Sequence, residues 1–104
     1  MPYCIINCTT SKKEDAVKIA KALIEKRLIA CCNIVPNVTS LYEWRNEIVE
    51  ENEFLMVMKS ETKLFSQVEE AIKALHPYEV PEIICTRIIE GSNDYLDWIR
   101  TQTK

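Results

Sequence analysis

Residues 75–83 read LHPYEVPEI, and this stretch decides the fold because two prolines in it join a helical pattern to a strand pattern. Pro77 disfavours a helical conformation at His76 and donates no backbone hydrogen bond, so a helix should end here. Pro81 holds the following residues extended. We expect a rigid corner, which is either a stiffened connection or a site for a ligand or a neighbouring subunit. In the second case its polar side chains are the candidate binding residues: His76, Tyr78, Glu79 and Glu82.

The patterns on both sides of the corner predict four strands and three helices. The first helix begins at a capping box, in which Ser11 and Glu14 each satisfy a free backbone amide. Gly91 ends the last strand, and Ser92-Asn93-Asp94 caps a terminal helix. In chain order, the predicted elements are a strand at 3–9, a helix from Ser11 to about Arg27, a strand at 28–44, a strand at 48–59, a helix from Thr62 to Leu75, a strand at 82–89 and a helix after 94.

The second and third strands form a hairpin that is longer than a small domain needs for its own core. Pro36-Asn37 interrupts the second strand, but the β-rich pattern resumes at once, which indicates a bulge in one long strand. The reversal falls at 45–47, where asparagine tolerates a positive φ. The tip carries Tyr42, Trp44 and Ile48, and exposed apolar side chains of this kind usually mark a contact with another chain.

The element order predicts an α+β fold of the ferredoxin-like, split βαβ type, βαββαβ, with a long hairpin and an extra C-terminal helix. The 104 residues are enough for one packed core, so we expect a single domain spanning residues 1–104. Nearly half of the residues are hydrophobic and only one is glycine, which excludes a disordered chain.

Composition also limits the classes of partner. Thirteen basic against sixteen acidic residues give a formal net charge of −3, which argues against nucleic-acid binding. No stretch has the roughly 20 apolar residues that span a bilayer, and no signal peptide is visible, so we expect no membrane insertion. The five cysteines are an odd number without a secretory framework, which favours reduced thiols and a cytoplasmic location.

The direction of each element in this topology brings Cys8, at the end of the first strand, to the same end of the domain as His76. A thiolate and an imidazole together suit either a soft metal ion, such as copper(I) or zinc, or nucleophilic catalysis. No C-x-x-C or H-x-x-H pair is present, and one chain supplies too few ligands for a closed site, so Glu79, Glu82 or another subunit would complete it. No phosphate-binding glycine loop is present either, and we predict that the protein is not an enzyme.

Lys59 is a further candidate, at the end of the return strand among hydrophobic residues. A half-buried lysine usually has an anionic partner. We therefore predict that Lys59 pairs with a glutamate of the corner.

Three stretches resemble the CutA divalent-cation tolerance proteins: residues 30–44, ACCNIVPNVTSLYEW, residues 75–82, LHPYEVPE, and residues 94–98, DYLDW. The resemblance extends over essentially the whole chain. It implies a ferredoxin-like protomer in a tightly packed homotrimer, similar in architecture to the PII signalling proteins, with long hairpins that join the subunits. Such an assembly would also cover exposed sheet edges.

The family is linked to tolerance of copper and other divalent metals in bacteria, and an animal relative is associated with anchoring acetylcholinesterase at membranes. Its proposed copper ligands are a cysteine at the end of the first strand and two consecutive histidines before the proline of the corner. The resemblance assigns these roles to Cys8 and His76. Leu75 stands in place of the first histidine, so this chain has one ligand fewer.

Two functions follow as hypotheses. The first is a cytoplasmic homotrimer that binds copper or another divalent cation at Cys8 and His76 without catalytic turnover. The alternative is a PII-like regulatory or scaffold module that binds a small anion or an unidentified partner protein in clefts between subunits. Its candidate binding residues are Trp44, Lys59, Tyr78, Glu79 and Glu82.

Overall fold

The computed structural model describes residues 2–104, which form the predicted order of strands and helices. The antiparallel sheet and the three helices confirm the predicted α+β class. No helix within residues 2–104 is long and apolar enough to cross a membrane. The elements are β1 (Tyr3–Thr10), α1 (Lys13–Glu25), β2 (Cys31–Trp44), β3 (Glu47–Glu61), a short 3-10 turn (Thr62–Leu64), α2 (Phe65–Leu75), β4 (Ile83–Arg87) and α3 (Asn93–Gln102).

The sheet has the strand order β2-β3-β1-β4, and each neighbouring pair is antiparallel. Helices α1 and α2 pack on one side of it, called the inner face, and the opposite side is called the outer face. Alternation along β1 sends Cys4, Ile6 and Cys8 to the inner face, as predicted, and all three are fully buried. Helix α3 contributes Ile99 to a smaller cluster with Tyr3 and Ala30. The protomer therefore has one helix-covered face and one largely uncovered face.

The buried residues of α1 recur at the predicted helical spacing: Ala16, Ile19, Ala20 and Leu23. The predicted capping box is wrong, because α1 begins after Lys12 and its N-cap makes no side-chain hydrogen bond. The hydroxyl of Thr10 instead donates to the Lys12 carbonyl at 2.8 Å. Arg27 lies beyond the helix with a φ of 58°. The Leu28 amide reaches back to the Leu23 carbonyl at 2.9 Å, which is a Schellman ending made without glycine.

Other element ends also differ from the sequence pattern. Thr62 begins a 3-10 turn, and the N-cap of α2 is Leu64. Ser92 is the N-cap of α3 as predicted, but it makes no side-chain capping bond. Strand β4 covers only Ile83–Arg87, shorter than the predicted 82–89. Helix α2 does end at Leu75, immediately before the corner, as Pro77 requires.

The hairpin of β2 and β3 is continuous through Pro36-Asn37, which confirms the predicted bulge. Val35 pairs with Leu55 and Val38 pairs with Glu53, so two residues of β2 lie opposite one residue of β3. Asn37 has a φ of 60°, the left-handed conformation that this bulge requires. The bulge keeps the later residues of β2 in register with β3 as far as the tip.

The tip is a two-residue reversal at Arg45 and Asn46, whose φ angles are 50° and 66°. Two positive φ values between paired strands are typical of a type I′ turn, which matches the natural twist of a hairpin. The side chains around the tip are strongly exposed: Leu41 (65%), Trp44 (59%) and Ile48 (82%). The hairpin gives the protomer an elongated shape of 45 × 26 × 22 Å with apolar surface at one end.

We predict that Asn37→Ala destabilises the protein by about 1 kcal/mol, because a Cβ without a compensating polar side chain is strained at positive φ. Asn37→Gly is the matched control and should leave the free energy of unfolding nearly unchanged. Chemical denaturation of the three proteins measures the difference. Equal destabilisation by both substitutions would show that the backbone conformation at residue 37 does not matter.

Candidate functional site

His76 is the most constrained polar side chain of the corner and is only 7% exposed. The backbone N–H of Tyr78 donates to Nδ1 of the ring at 3.0 Å. Because Nδ1 accepts a hydrogen bond, the ring proton sits on Nε2, which donates to the Thr9 carbonyl at 2.7 Å. Both nitrogens of the ring are therefore engaged with the backbone.

Cys8 and His76 both contact the carbonyl oxygen of Thr9. The Sγ of Cys8 makes a weak S–H contact of 3.8 Å with the Thr9 oxygen. The sulfur and the ring nitrogen thus approach one atom, which confirms that the topology brings Cys8 and His76 to one end of the sheet. Burial, and then the charge of Glu82, raise the pKa of the Cys8 thiol to about 12. At neutral pH the thiol keeps its proton.

The donor atoms of this pair, a sulfur and an imidazole nitrogen, already make contacts within the protomer. A thiolate and a neutral imidazole are the donors that copper(I) and zinc prefer. In residues 2–104, no group of three or more histidine, cysteine, aspartate or glutamate side chains is arranged to hold a metal ion. The donors fit a metal in kind, but a third ligand would have to come from outside the protomer or after a rearrangement.

Tyr78 extends the network from His76 to the hairpin. The two rings lie 4.7 Å apart between centroids, and the Tyr78 hydroxyl donates to Glu53 Oε2 at 2.6 Å. Burial and this bond to an acceptor carboxylate raise the pKa of Tyr78. The carboxylate of Glu53 is only 6% exposed. Glu53 was missed by sequence reasoning, although strand alternation does set it on the same face as Leu55 and Val57.

A cleft of about 780 Å³ lies between the hairpin and the corner. The structure brings four predicted binding residues to its walls: Trp44, Tyr78, Glu79 and Glu82. The hairpin adds Glu51 and Glu53, which the sequence reasoning did not select, and Tyr42, which it placed at the exposed tip. The rest of the lining is Thr9, Ser40, Leu41, Val49 and Val80. Within the described chain, this cleft is acidic and aromatic in character.

Lys59 is not part of that cleft. It lies half-buried on the outer face, and its ammonium group donates to Oδ1 of Asn33. The prediction that Lys59 pairs with a glutamate of the corner is therefore wrong. The register explains the difference, because Lys59 pairs with Cys31 and Asn33 lies two residues further along the same face of β2.

Fold and site together define a ferredoxin-like α+β protein with an extended hairpin and a cysteine–histidine pair beneath a proline-bounded corner. Residues 4–102 match the family model described as CutA1 divalent ion tolerance protein. The chain therefore belongs to the CutA1 family, as the three sequence stretches predicted.

Individual relatives are similar to this protein in sequence or structure over most of the chain. The divalent-cation tolerance protein CutA of Thermus thermophilus is 50% identical over 99 residues, covering 95% of this chain and 96% of that protein. A solved structure of the divalent cation tolerance protein from Thermus thermophilus superposes with a TM-score of 0.94 at 48% identity, covering 98% of this chain and 99% of that one. Human Protein CutA is 40% identical over 92% of this chain, which spans only 54% of the human protein.

We predict that His76→Ala destabilises the protein by about 2–4 kcal/mol, because it removes the ring's hydrogen bonds to the buried Thr9 carbonyl and to the part-buried Tyr78 amide. Tyr78→Phe is the control for the corner, since it removes the hydroxyl and its bonds to Glu53 and Ser11 but keeps both hydrogen bonds of the His76 ring, and it should cost less. Urea denaturation of both variants and the wild type gives the comparison. A smaller loss for His76→Ala than for Tyr78→Phe would contradict the structural role of the ring.

Proposed function

We propose that this protein acts in divalent-ion tolerance as a non-catalytic homotrimer, in which Cys8 and His76 bind copper or another divalent cation. The observation that carries the proposal is the approach of Cys8 Sγ and His76 Nε2 to the same Thr9 carbonyl. One buried position thus combines a sulfur and a nitrogen donor. Membership of a family named for divalent-ion tolerance supports the same role.

Metal binding at this pair must first displace protons. The Cys8 thiol has a pKa raised to about 12, so it releases a proton to become a ligand. His76 must also give up either the Nε2 bond to Thr9 or the Nδ1 bond from Tyr78. Each buried hydrogen bond given up costs about 1–3 kcal/mol. Binding by the isolated pair is therefore weak and strengthens as the pH rises.

We predict that copper(I), titrated anaerobically against a chromophoric competitor, binds the wild type saturably and that Cys8→Ser weakens binding tenfold or more, about 1.4 kcal/mol. His76→Gln should do the same, since an amide can replace the ring's hydrogen bonds but not its metal-binding nitrogen. Because one thiol proton is released below its pKa, the apparent affinity should rise about tenfold per pH unit between pH 6 and 8.

Cys32→Ser is the matched control, because Cys32 is a second thiol, partly buried, whose pKa burial raises to about 11. It should bind copper as the wild type does. Equal copper affinity in the wild type, Cys8→Ser and His76→Gln proteins would show that these two residues do not form the copper site. A pH-independent affinity would show that the Cys8 thiol is not a ligand.

The proposed absence of catalytic turnover rests on the hydrogen bonds of His76 and on the raised pKa of Cys8. Both nitrogens of His76 are committed to backbone hydrogen bonds, so the ring is not a free base. The raised pKa of Cys8 keeps it from acting as a thiolate nucleophile. The pair is therefore suited to holding an ion and not to chemistry on a substrate.

The homotrimer is supported by surfaces that a single protomer leaves open. The apolar tip is exposed, and β2 and β4 are the edge strands of the sheet. On the uncovered outer face, Oδ1 of Asn7 is buried without a hydrogen-bond partner within residues 2–104. A buried polar atom of this kind usually has a partner, and a neighbouring subunit against the outer face would supply one.

We predict that Trp44→Asp shifts the mass in solution from trimer toward monomer, because it sets a charge in the apolar contact at the tip. Gln67→Asp adds the same charge to an exposed position of α2 and should leave the mass unchanged. Light scattering coupled to size exclusion measures both. A trimeric Trp44→Asp protein would show that the tip does not hold the subunits together.

For the alternative, a PII-like regulatory or scaffold module, the charge of the cleft limits the kind of ligand that can bind there. Its lining includes four glutamates: Glu51, Glu53, Glu79 and Glu82. These carboxylates oppose a small anion at this position. If the cleft has a regulatory role, its ligand is therefore cationic.

A further inference from the structure

Met56 lies directly opposite Cys8 in the sheet. The two residues are paired across β1 and β3, and both belong to the buried cluster of the inner face. Facing residues of an antiparallel pair have Cβ atoms about 5 Å apart, which brings the Met56 thioether within reach of the Cys8 thiol. Both side chains are 0% exposed. A second buried sulfur therefore adjoins the pair formed by Cys8 and His76.

The thioether of Met56 is a suitable ligand for this position. Thioether sulfur is a soft donor of the kind that selects copper(I) in proteins. A methionine side chain is unbranched and has three rotatable bonds, so its sulfur can turn toward an ion while the strand stays in place. Within residues 2–104, the side chains that form no group of three around one point are histidine, cysteine, aspartate and glutamate, and Met56 falls outside that set.

The register distinguishes Met56 from the other apolar side chains near the pair. Leu75, which precedes His76, packs against the same cluster but carries no ligand atom. Met58 is buried as deeply as Met56, but it lies opposite Ile6. That position is two residues, or about 7 Å, further from the end of β1 where His76 contacts Thr9. Met56 is therefore the methionine that can share an ion with Cys8 and His76.

We propose that Met56 is the third ligand of the copper position formed by Cys8 and His76, and that the complete site prefers copper(I) to zinc. The inference rests on the proposed function and adds a ligand to the same site. The rearrangement is confined to the opening of one His76 hydrogen bond and a turn of the Met56 side chain. Cys8 releases its proton to solvent, and the three residues supply a thiolate, an imidazole nitrogen and a thioether sulfur.

The charge of this ligand set suits a monovalent ion. Imidazole and thioether donors are uncharged, so the Cys8 thiolate balances the single positive charge of copper(I). Such a balance matters among the buried apolar side chains around Cys8 and Met56, where an uncompensated charge is costly. Zinc in proteins is bound by thiolate, imidazole and carboxylate groups, and a thioether is not among its usual ligands. Loss of the thioether should therefore weaken copper(I) binding and leave zinc binding unchanged.

The direct test is X-ray absorption at the selenium edge of the full chain, prepared with selenomethionine and loaded anaerobically with copper(I). The sequence has three methionines, at positions 1, 56 and 58. We expect a copper neighbour of selenium in the wild type and in Met58→Leu, and none in Met56→Leu. A wild type without a copper neighbour of selenium, or a copper neighbour that persists in Met56→Leu, would overturn the proposal.

Anaerobic titration of copper(I) against a chromophoric competitor measures how much the ligand contributes. Met56→Leu should bind at least tenfold more weakly than the wild type. Met58→Leu is the matched control, since it removes an equally buried thioether from the same face of β3, and it should bind as the wild type does. Zinc should bind all three proteins equally. Equal copper(I) affinity in the wild type and Met56→Leu, or an equal loss of zinc affinity, would contradict the assignment.

The failure of this inference is distinguishable from the failure of the copper site. If Cys8→Ser and His76→Gln weaken copper binding but Met56→Leu does not, only Met56 leaves the ligand set. If none of the three substitutions weakens it, the site itself is absent. Methionine-to-leucine changes nearly conserve volume, so both variants should fold, and thermal unfolding checks this. The selenium measurement on the wild type decides the role of Met56 even if a variant does not fold.

Discussion

The structure depends on one side chain held by two backbone hydrogen bonds. His76 closes α2 through its own amide, which donates to the Ile72 carbonyl at 2.8 Å. Pro77 then keeps it out of the helix, at φ −77° and ψ 134°, and this turn aims the ring at the end of β1. The ring ties the Thr9 carbonyl to the Tyr78 amide. The end of the sheet, the end of α2 and the start of the corner are thus fixed by a single residue.

The same tie determines what the cysteine–histidine pair can do. If a metal ion binds this pair, His76 is not available as a ligand until the bridge opens, so that binding would be coupled to the order of the corner. An ion that captured His76 Nε2 would release the Thr9 carbonyl, and one that captured Nδ1 would release the Tyr78 amide. Because the Tyr78 hydroxyl donates to Glu53 on the hairpin, either change would also affect the side chains of the cleft. Coupling of this kind runs in both directions.

Topology was predictable from the sequence, whereas several contacts were not. Hydrophobic alternation in β1, helical spacing in α1 and the prolines of the corner each favour one local structure and agree with one another. The capping box failed because α1 starts after Lys12, one residue later than the pattern indicates, so Ser11 is not the N-cap. The partner predicted for Lys59 was wrong because Lys59 donates to Asn33 on the neighbouring strand. Partners across a sheet follow the strand register, which cannot be read directly from a sequence. Glu53 escaped notice because acidic residues in a strand normally face water.

Two polar residues that sequence reasoning missed are incompletely compensated within the described chain. Asn7 Oδ1 has no partner within the described chain, and Glu53 has a hydroxyl but no cation. On the inner face, by contrast, helices α1 and α2 cover a cluster of apolar and thiol side chains. An uncompensated buried polar group costs free energy wherever it lies, so these groups persist only if another interaction offsets that cost. The outer face and the cleft are therefore where the described residues leave buried polar groups least compensated.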